Sequence, residues 1–238
     1  MFASKEIVLP KQRFLVNSDL CPDFVPQMFD PYYWTNKNQI FGTSKGRGTT
    51  YFVGEGNNRY VLRHYRRGGF ISKFIQDGFF YPGRENSRSY REFRLLDHLY
   101  DLGINVPKPV AAHISLNHYP IARYDILVSY IEGSQDLSAL LQHRSLTSQE
   151  LQKISNLLLQ LQKHNIYHSD LNIHNILLDG QGEVWVIDFD NGSIEPGRFT
   201  EMILRLKRSF IKEMHLNQGH FNWTNQQFEE LTENFRLS

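Results

Sequence analysis

Two segments in the C-terminal half have the residue types and spacing needed to move a phosphoryl group. His168-Ser169-Asp170-Leu171-Asn172-Ile173-His174-Asn175 reads as H-x-D-L-x-x-x-N, and Val186-Ile187-Asp188-Phe189-Asp190 sets an Asp-Phe pair at the end of an apolar run. Transfer from a magnesium–nucleotide complex requires a carboxylate beside the acceptor hydroxyl and oxygen ligands for Mg²⁺. Asp170 fits the first task as the catalytic group, and Asn175 and Asp188 fit the second as metal ligands. Either segment alone is weak. In this order, separated by a hairpin-like stretch, they form a strong signal that still needs the right structural context.

The whole chain bounds what can surround them. At 238 residues it can bury the core of one large domain or two lobes, and 40% of it is apolar and 13% aromatic. The formal net charge is +1, which excludes a generally basic nucleic-acid binder, although basic residues cluster at 63–67, 84–94 and 205–212. Such clusters are either solvated faces or attractors for an anionic ligand or membrane surface. The one cysteine, Cys21, excludes an intrachain disulfide and a paired-cysteine zinc site. The expected setting is reducing, with no signal peptide and no membrane-spanning stretch.

Along the chain, residues 1–39 read as an irregular, proline-bearing extension. Thr49–Val53 and Arg59–Tyr65 read as strands joined by a glycine and asparagine turn. Ser87 opens an amphipathic helix that ends near Asp101, before Gly103. Residues 125–131 read as a buried strand, Asp136 as the start of a short helix, and Thr147-x-x-Glu150 as a capping box for a longer one. Two short strands flank the Asp179-Gly180-Gln181-Gly182 turn, and a helical tail follows Asp190. The predicted fold is α+β: a β-rich lobe over 40–131 and a reduced helical lobe over 132–238, as in a compact two-lobed protein-kinase-like protein.

That order gives the N-terminal half its candidates. Ile40 to Thr50 is a glycine-rich turn in which Gly42, Gly46 and Gly48 would let backbone amides approach phosphate, with charge from Lys45. An exposed glycine hairpin is the plain alternative. Arg63 stands where a kinase carries a phosphate-binding lysine, and a planar guanidinium does not reproduce a compact ammonium. Glu92, on the amphipathic helix, is the expected partner of Arg63, with Glu85 as competitor. Tyr130 and Ile131 would offer backbone groups to an adenine ring. His168 reads as a histidine that bonds backbone, His174 as a phosphate neighbour or a solvated loop residue, and Asp190 replaces the glycine expected after Asp-Phe.

With these residues placed, the chain resembles the lipopolysaccharide (Kdo) kinase family of the protein-kinase-like superfamily over about residues 38–212. The resemblance rests on Gly42 to Tyr51, Leu62 to Gly69, Arg88-Ser89-Tyr90-Arg91-Glu92-Phe93, Val106-Pro107-Lys108-Pro109, the two signature segments, and Arg205-Leu206-Lys207-Arg208-Ser209-Phe210. It implies ATP- and Mg²⁺-dependent phosphorylation of the 4-hydroxyl of a 3-deoxy-D-manno-octulosonic acid (Kdo) residue on a lipid A precursor. The partner would be that anionic glycolipid at the cytoplasmic face of the inner membrane, with no nucleic acid and no obligate protein partner. The aromatic loop Phe70 to Tyr81 would then either pack on the β-rich lobe or meet lipid. Two rivals remain open at this point. An aminoglycoside-type kinase would favour acidic pockets, and a non-catalytic nucleotide-binding module would have no use for an acceptor-facing carboxylate.

Overall fold

The computed structural model describes residues 3–45, 49–66 and 78–235. The chain forms two compact units, Met1–His98 with Lys108–Tyr130 and Leu99–Pro107 with Ile131–Ser238. Gly46, Gly48 and most of the aromatic loop lie outside the described residues.

The first unit is built on a sheet. Its elements are β1 (Ser4–Leu9), β2 (Gln12–Asn17), α1 (Pro31–Asn36), β3 (Ile40–Lys45), β4 (Thr49–Glu55), β5 (Asn58–His64), β6 (Phe79–Phe80), α2 (Arg88–Asp101), β7 (Pro109–His118) and β8 (Ile121–Ser129). The antiparallel order is β1-β2-β7-β8-β5-β4-β3, with β6 added against β8. The β4–β5 turn requires glycine at position 54. There φ is 101° and a Cβ would lie 1.9 Å from the Asn58 carbonyl oxygen. The strand expected over 125–131 starts earlier, at Ile121, and ends at Ser129.

The N-terminal residues are not an irregular extension. β1 and β2 pair in register from Ser4↔Asn17 to Leu9↔Gln12, and β2 pairs with β7. The prolines that suggested irregularity fall where they do no harm: Pro10 follows β1 at the turn, and Pro26 and Pro31 start helical turns, where a missing N–H costs nothing. Phe14, Val16, Cys21, Met28 and Trp34 then join Val53, Tyr60, Leu62, Val110, Ala111 and Leu127 in one buried cluster. Trp34 donates its indole N–H to the Met28 carbonyl at 2.8 Å, so its polar edge is satisfied inside that core.

In α2, Tyr90, Phe93, Leu96 and Leu99 recur at helical spacing and are buried. Gly103, at φ 73°, ends the helix, with its amide bonded to the Tyr100 carbonyl at 2.9 Å and that of Ile104 to Leu99 at 3.0 Å. Ser87 carries the first helical bond on its carbonyl, from Arg91, while its hydroxyl donates to the Arg84 carbonyl at 2.7 Å.

The second unit comprises β9 (Gln135–Asp136), α3 (Leu137–Leu141), α4 (Ser148–Lys163), β10 (Ile166–Tyr167), β11 (Ile176–Leu178), β12 (Val184–Val186), β13 (Ser193–Ile194), α5 (Phe199–Leu216) and α6 (Asn225–Thr232). Asp136 caps α3 by accepting from the Ala139 amide, and the Thr147/Glu150 capping box is complete in both directions. Ile154, Leu157, Leu158 and Leu161 form the buried stripe of α4. β12, β11 and β9 make a three-stranded antiparallel sheet, and β10 pairs with β13.

Replacing Trp34 with Ala should cost about 3–5 kcal/mol, the usual penalty for emptying a buried tryptophan site. Denaturant unfolding monitored by fluorescence and circular dichroism checks this. A change within about 1 kcal/mol would detach the N-terminal segment from the core.

Candidate active site

The signature residues meet on a loop framework in the second unit, and His168 organises it. Its ring is fully buried and packs 4.7 Å from that of Phe189, itself fully buried. The Asp170 amide donates to His168 Nδ1 at 3.2 Å, and Nε2 lies 2.9 Å from the Ile187 carbonyl. A ring nitrogen that accepts from an amide carries no proton, so Nε2 is the protonated one and the imidazole is neutral. Burial pushes its pKa below the ordinary 6.5, and its bond to the Ile187 carbonyl and the charges of Asp188 and Asp170 do not overcome that. The structural role read from the sequence is the one observed.

Two further bonds join the two segments, and one braces the first of them. The Ile187 amide donates to the Asn175 carbonyl at 3.0 Å, the Asn175 side-chain nitrogen donates to the Asp170 carbonyl at 3.0 Å, and the Ser169 hydroxyl donates to the Asp190 carbonyl at 2.7 Å. Asp170, Asn175 and Asp188 are thus brought together by shared backbone partners. Asp188 follows β12 in left-handed backbone (φ 66°), a conformation that Asp tolerates better than most residues and that turns the chain sharply at this point. Asp190 takes part through its carbonyl. It sits in the turn closed by the Gly192 amide on the Phe189 carbonyl at 2.7 Å.

The framework leaves the Asp170 side chain in the open, at 55% exposure, while its amide and carbonyl are both engaged. A carboxylate held from behind and presented forward can orient and deprotonate a hydroxyl. The donor set also fits a hard divalent cation. The nitrogen of Asn175 is committed, which aims its amide oxygen as an acceptor, and Asp188 adds a carboxylate. Among the described residues no group of three or more His, Cys, Asp and Glu can hold a metal by itself. A cation here would therefore keep water or phosphate oxygens, as Mg²⁺ does.

His174 lies on the same loop, with Nδ1 3.4 Å from Asp136 and Nε2 3.4 Å from the buried Glu213. Glu213 also accepts from Ser138 at 3.0 Å and from Asn217 at 3.2 Å. The loop is anchored to α5 by the Ile173 amide on the Ser209 hydroxyl at 3.0 Å. Ser209 and Glu213 were not legible as site residues, since only the packing of α5 brings them to the loop.

In the first unit, Arg63 is ion-paired with Glu92, and the Tyr65 hydroxyl donates to the other oxygen of the same carboxylate. Glu85 instead pairs with Arg84 and Arg94 at the surface. Gly42 sits on β3 where a Cβ would lie 2.8 Å from the Phe52 ring, so close packing accounts for this glycine. Lys45 ends β3. Tyr130 packs its ring on Phe41 and Phe52 and donates its amide to the Arg59 carbonyl at 2.9 Å, and the Ile131 carbonyl accepts from the Ser134 hydroxyl at 2.8 Å. Those two backbone groups are already engaged by the chain itself. One buried charge went unread in the sequence: Asp125 is bonded by His113 at 2.8 Å and by His64. Burial raises the pKa of Asp125, and these two bonds outweigh it and hold the carboxyl below its ordinary range.

An H-x-D-L-x-x-x-N loop locked to an Asp-Phe turn, in an α+β chain, defines a protein-kinase-like phosphotransferase. The model of the lipopolysaccharide kinase (Kdo/WaaP) family matches residues 32–235, and the chain belongs to that family. It is 41% identical over 225 residues to the 3-deoxy-D-manno-octulosonic acid kinase of Mannheimia succiniciproducens, covering 88% of this chain and 92% of that one. It is 39% identical over 204 residues to the kinase of the same name from Vibrio cholerae, covering 85% and 86%. A solved structure of WaaP in complex with acyl carrier protein superposes with a TM-score of 0.52 at 13% identity, covering 87% of this chain and 84% of that one, a likeness of fold. The protein is therefore a kinase of lipopolysaccharide biosynthesis that transfers phosphate to a hydroxyl group. Among the described residues no helix is long and apolar enough to cross a membrane.

The neutral His168 makes a pH prediction. The unfolded chain protonates this histidine below about 6.5 while the folded chain resists it, so the unfolded state binds more protons and stability falls as pH drops. His168→Gln has no such proton. Between about pH 7.5 and 5.5 it should lose less stability than the wild type, by up to about 1.4 kcal/mol per pH unit. Denaturant melts at each pH test this; parallel pH dependences would remove His168 from the role.

Proposed function

We propose that this kinase transfers the γ-phosphoryl group of ATP, with Mg²⁺, to the 4-hydroxyl of a Kdo residue on a lipid A precursor. The observation that carries the reading is the exposed Asp170 carboxylate on a loop whose backbone is locked to the Asp188 segment. The relatives named 3-deoxy-D-manno-octulosonic acid kinase support the sugar. In this reading the acceptor oxygen bonds to phosphorus as the bond to the leaving ADP breaks, and the hydroxyl proton passes to Asp170. Asn175 and Asp188 would hold Mg²⁺, which would neutralise charge on the donor phosphates. Glu92 and Tyr65 orient Arg63, which would bind donor phosphate, and Gly42, Lys45, Gly46 and Gly48 would be further phosphate-binding residues. Tyr130 and Ile131 would border the adenine.

Asp170→Asn should lower kcat by about 10²–10⁴-fold with Kdo–lipid A precursor while ATP binding stays close to wild type. Asp188→Asn, which tolerates the same left-handed backbone, should lose comparable activity and also require more Mg²⁺. Steady-state ADP release and nucleotide titration give both readouts. Wild-type turnover in the Asp170 variant would end the assignment, and clean ATP binding with no acceptor phosphorylated would favour a regulatory module.

The acceptor is a glycolipid, and the reading places the enzyme peripherally on the cytoplasmic face of the inner membrane. α5 supports this by exposing Leu204, Ile211 and Leu216 among Arg208 and Lys212, a mixture suited to an anionic bilayer surface. The protein should float with phosphatidylglycerol vesicles but not phosphatidylcholine ones, and Arg208→Glu with Lys212→Glu should abolish this. Equal recovery with both lipids would remove α5 as the contact.

A further inference from the structure

Arg205 stands beside the catalytic carboxylate with its hydrogen bonds unmade. It lies on α5, one turn before the Ser209 that anchors the Ile173 amide, so its position relative to the loop is set by that anchor. Its Nη1 is 3.9 Å from Asp170 Oδ1, and its Nη2 is 3.7 Å from Glu201 Oε1. Both separations are too long for hydrogen bonds. Its Nε is buried and has no partner. The nearer acid does not close this gap, because Glu201 is already committed: one oxygen takes the Tyr167 hydroxyl at 3.1 Å and the other takes Arg198 at 2.8 and 3.0 Å. Arg198, the residue before α5, is paired with Glu195 and Glu201 and lies over the Tyr167 ring.

A guanidinium carries five donors in a planar fork, and with Nε buried the donors left for a ligand are those of the two terminal nitrogens, neither of which has an acceptor at bonding distance. The fork matches a carboxylate or phosphate in two parallel bonds. Arg205 is 37% exposed, so a ligand can reach it, and it is adjacent to the group that faces the reacting hydroxyl.

We infer that Arg205 binds the carboxylate of the acceptor sugar, holding the ring so that its hydroxyl meets Asp170. The inference rests on the proposed Kdo acceptor, whose acid group lies on the same ring as the hydroxyl to be phosphorylated. A phosphate on the lipid portion offers similar chemistry but belongs to a different sugar. The carboxylate is favoured because Arg205 contacts Asp170 itself. The bond would place one cation between two carboxylates, that of the acceptor and that of Asp170, and so relieve the repulsion an acidic sugar would otherwise meet there.

The test compares three acceptors: Kdo–lipid A precursor, its Kdo methyl ester, and the precursor stripped of lipid A phosphates. Wild-type kcat/KM should fall roughly 10- to 100-fold for the ester, the cost of losing a charged hydrogen-bonded pair. Arg205→Gln should be slow on the intact acceptor, chiefly through a raised acceptor KM, and should no longer distinguish acid from ester. Its KM for ATP should be unchanged, and Arg205→Lys should recover part of the preference. An equal loss of kcat on acid and ester, with the preference intact, would overturn the inference in favour of a structural role for Arg205. Discrimination that follows the lipid phosphates and ignores the ester would overturn it in favour of phosphate binding. A wild type that phosphorylates none of the three would overturn the Kdo reading, and this inference with it.

Discussion

The site depends on one buried neutral imidazole. His168 accepts from the Asp170 amide and faces the Ile187 carbonyl, so a single ring ties the loop that bears the exposed Asp170 carboxylate to the strand end that bears Asp188. Water could bond either backbone group but would not fix their separation. A ring with its nitrogens on opposite sides, packed against Phe189, does. The bonds from Ile187 to Asn175 and from Ser169 to Asp190 add to the same link. The two segments are therefore joined into one block that carries Asp170, Asn175 and Asp188. This is the preorganisation that catalysis by positioning requires.

Features that depend on local sequence were legible. The signature segments, the capping box at Thr147, the Asp136 cap and the Gly103 stop each follow from chemistry within a few residues. The β1–β2 hairpin was obscured, because its strands are short and its place in the sheet comes from pairing with β7, about a hundred residues away. The Asp125 row was invisible for a related reason. His64 and His113 face Asp125 only because β5, β8 and β7 are adjacent and in register. Arg205 was legible as part of a basic cluster and a motif, but not as a neighbour of Asp170, since that distance depends on the packing of α5.

The sheet of the first unit carries two buried acids, on opposite faces. Arg63 and His64 are neighbours on β5, so their side chains point to opposite sides. Arg63 meets Glu92 of α2 on one side, and His64 meets Asp125 on the side that holds Phe14, which stacks 4.7 Å from His113. Each carboxylate is satisfied by two partners, which is the condition under which a buried charge is tolerated. The arginine at position 63, where kinases carry lysine, is consistent with this arrangement. Glu92 is shared between a guanidinium and the Tyr65 phenol, and the guanidinium also lies 5.3 Å from the Tyr65 ring. An ammonium would keep the charge but lose the planar stacking.

Arg63 of the first unit and Arg205 of the second thus differ in a way that bears on the role proposed for each. Arg63 is held by Glu92 and Tyr65, as befits a group aimed before any ligand arrives. Arg205 has its Nε buried while its fork reaches no acceptor at bonding distance. A fold can leave a guanidinium in that condition at modest cost only where water or a ligand completes it, and the cost falls when the ligand is bound. A donor left incomplete beside Asp170 makes acceptor binding stronger for an acidic sugar than for a neutral one. The geometry of α5 then contributes to acceptor choice as well as to the support of the loop.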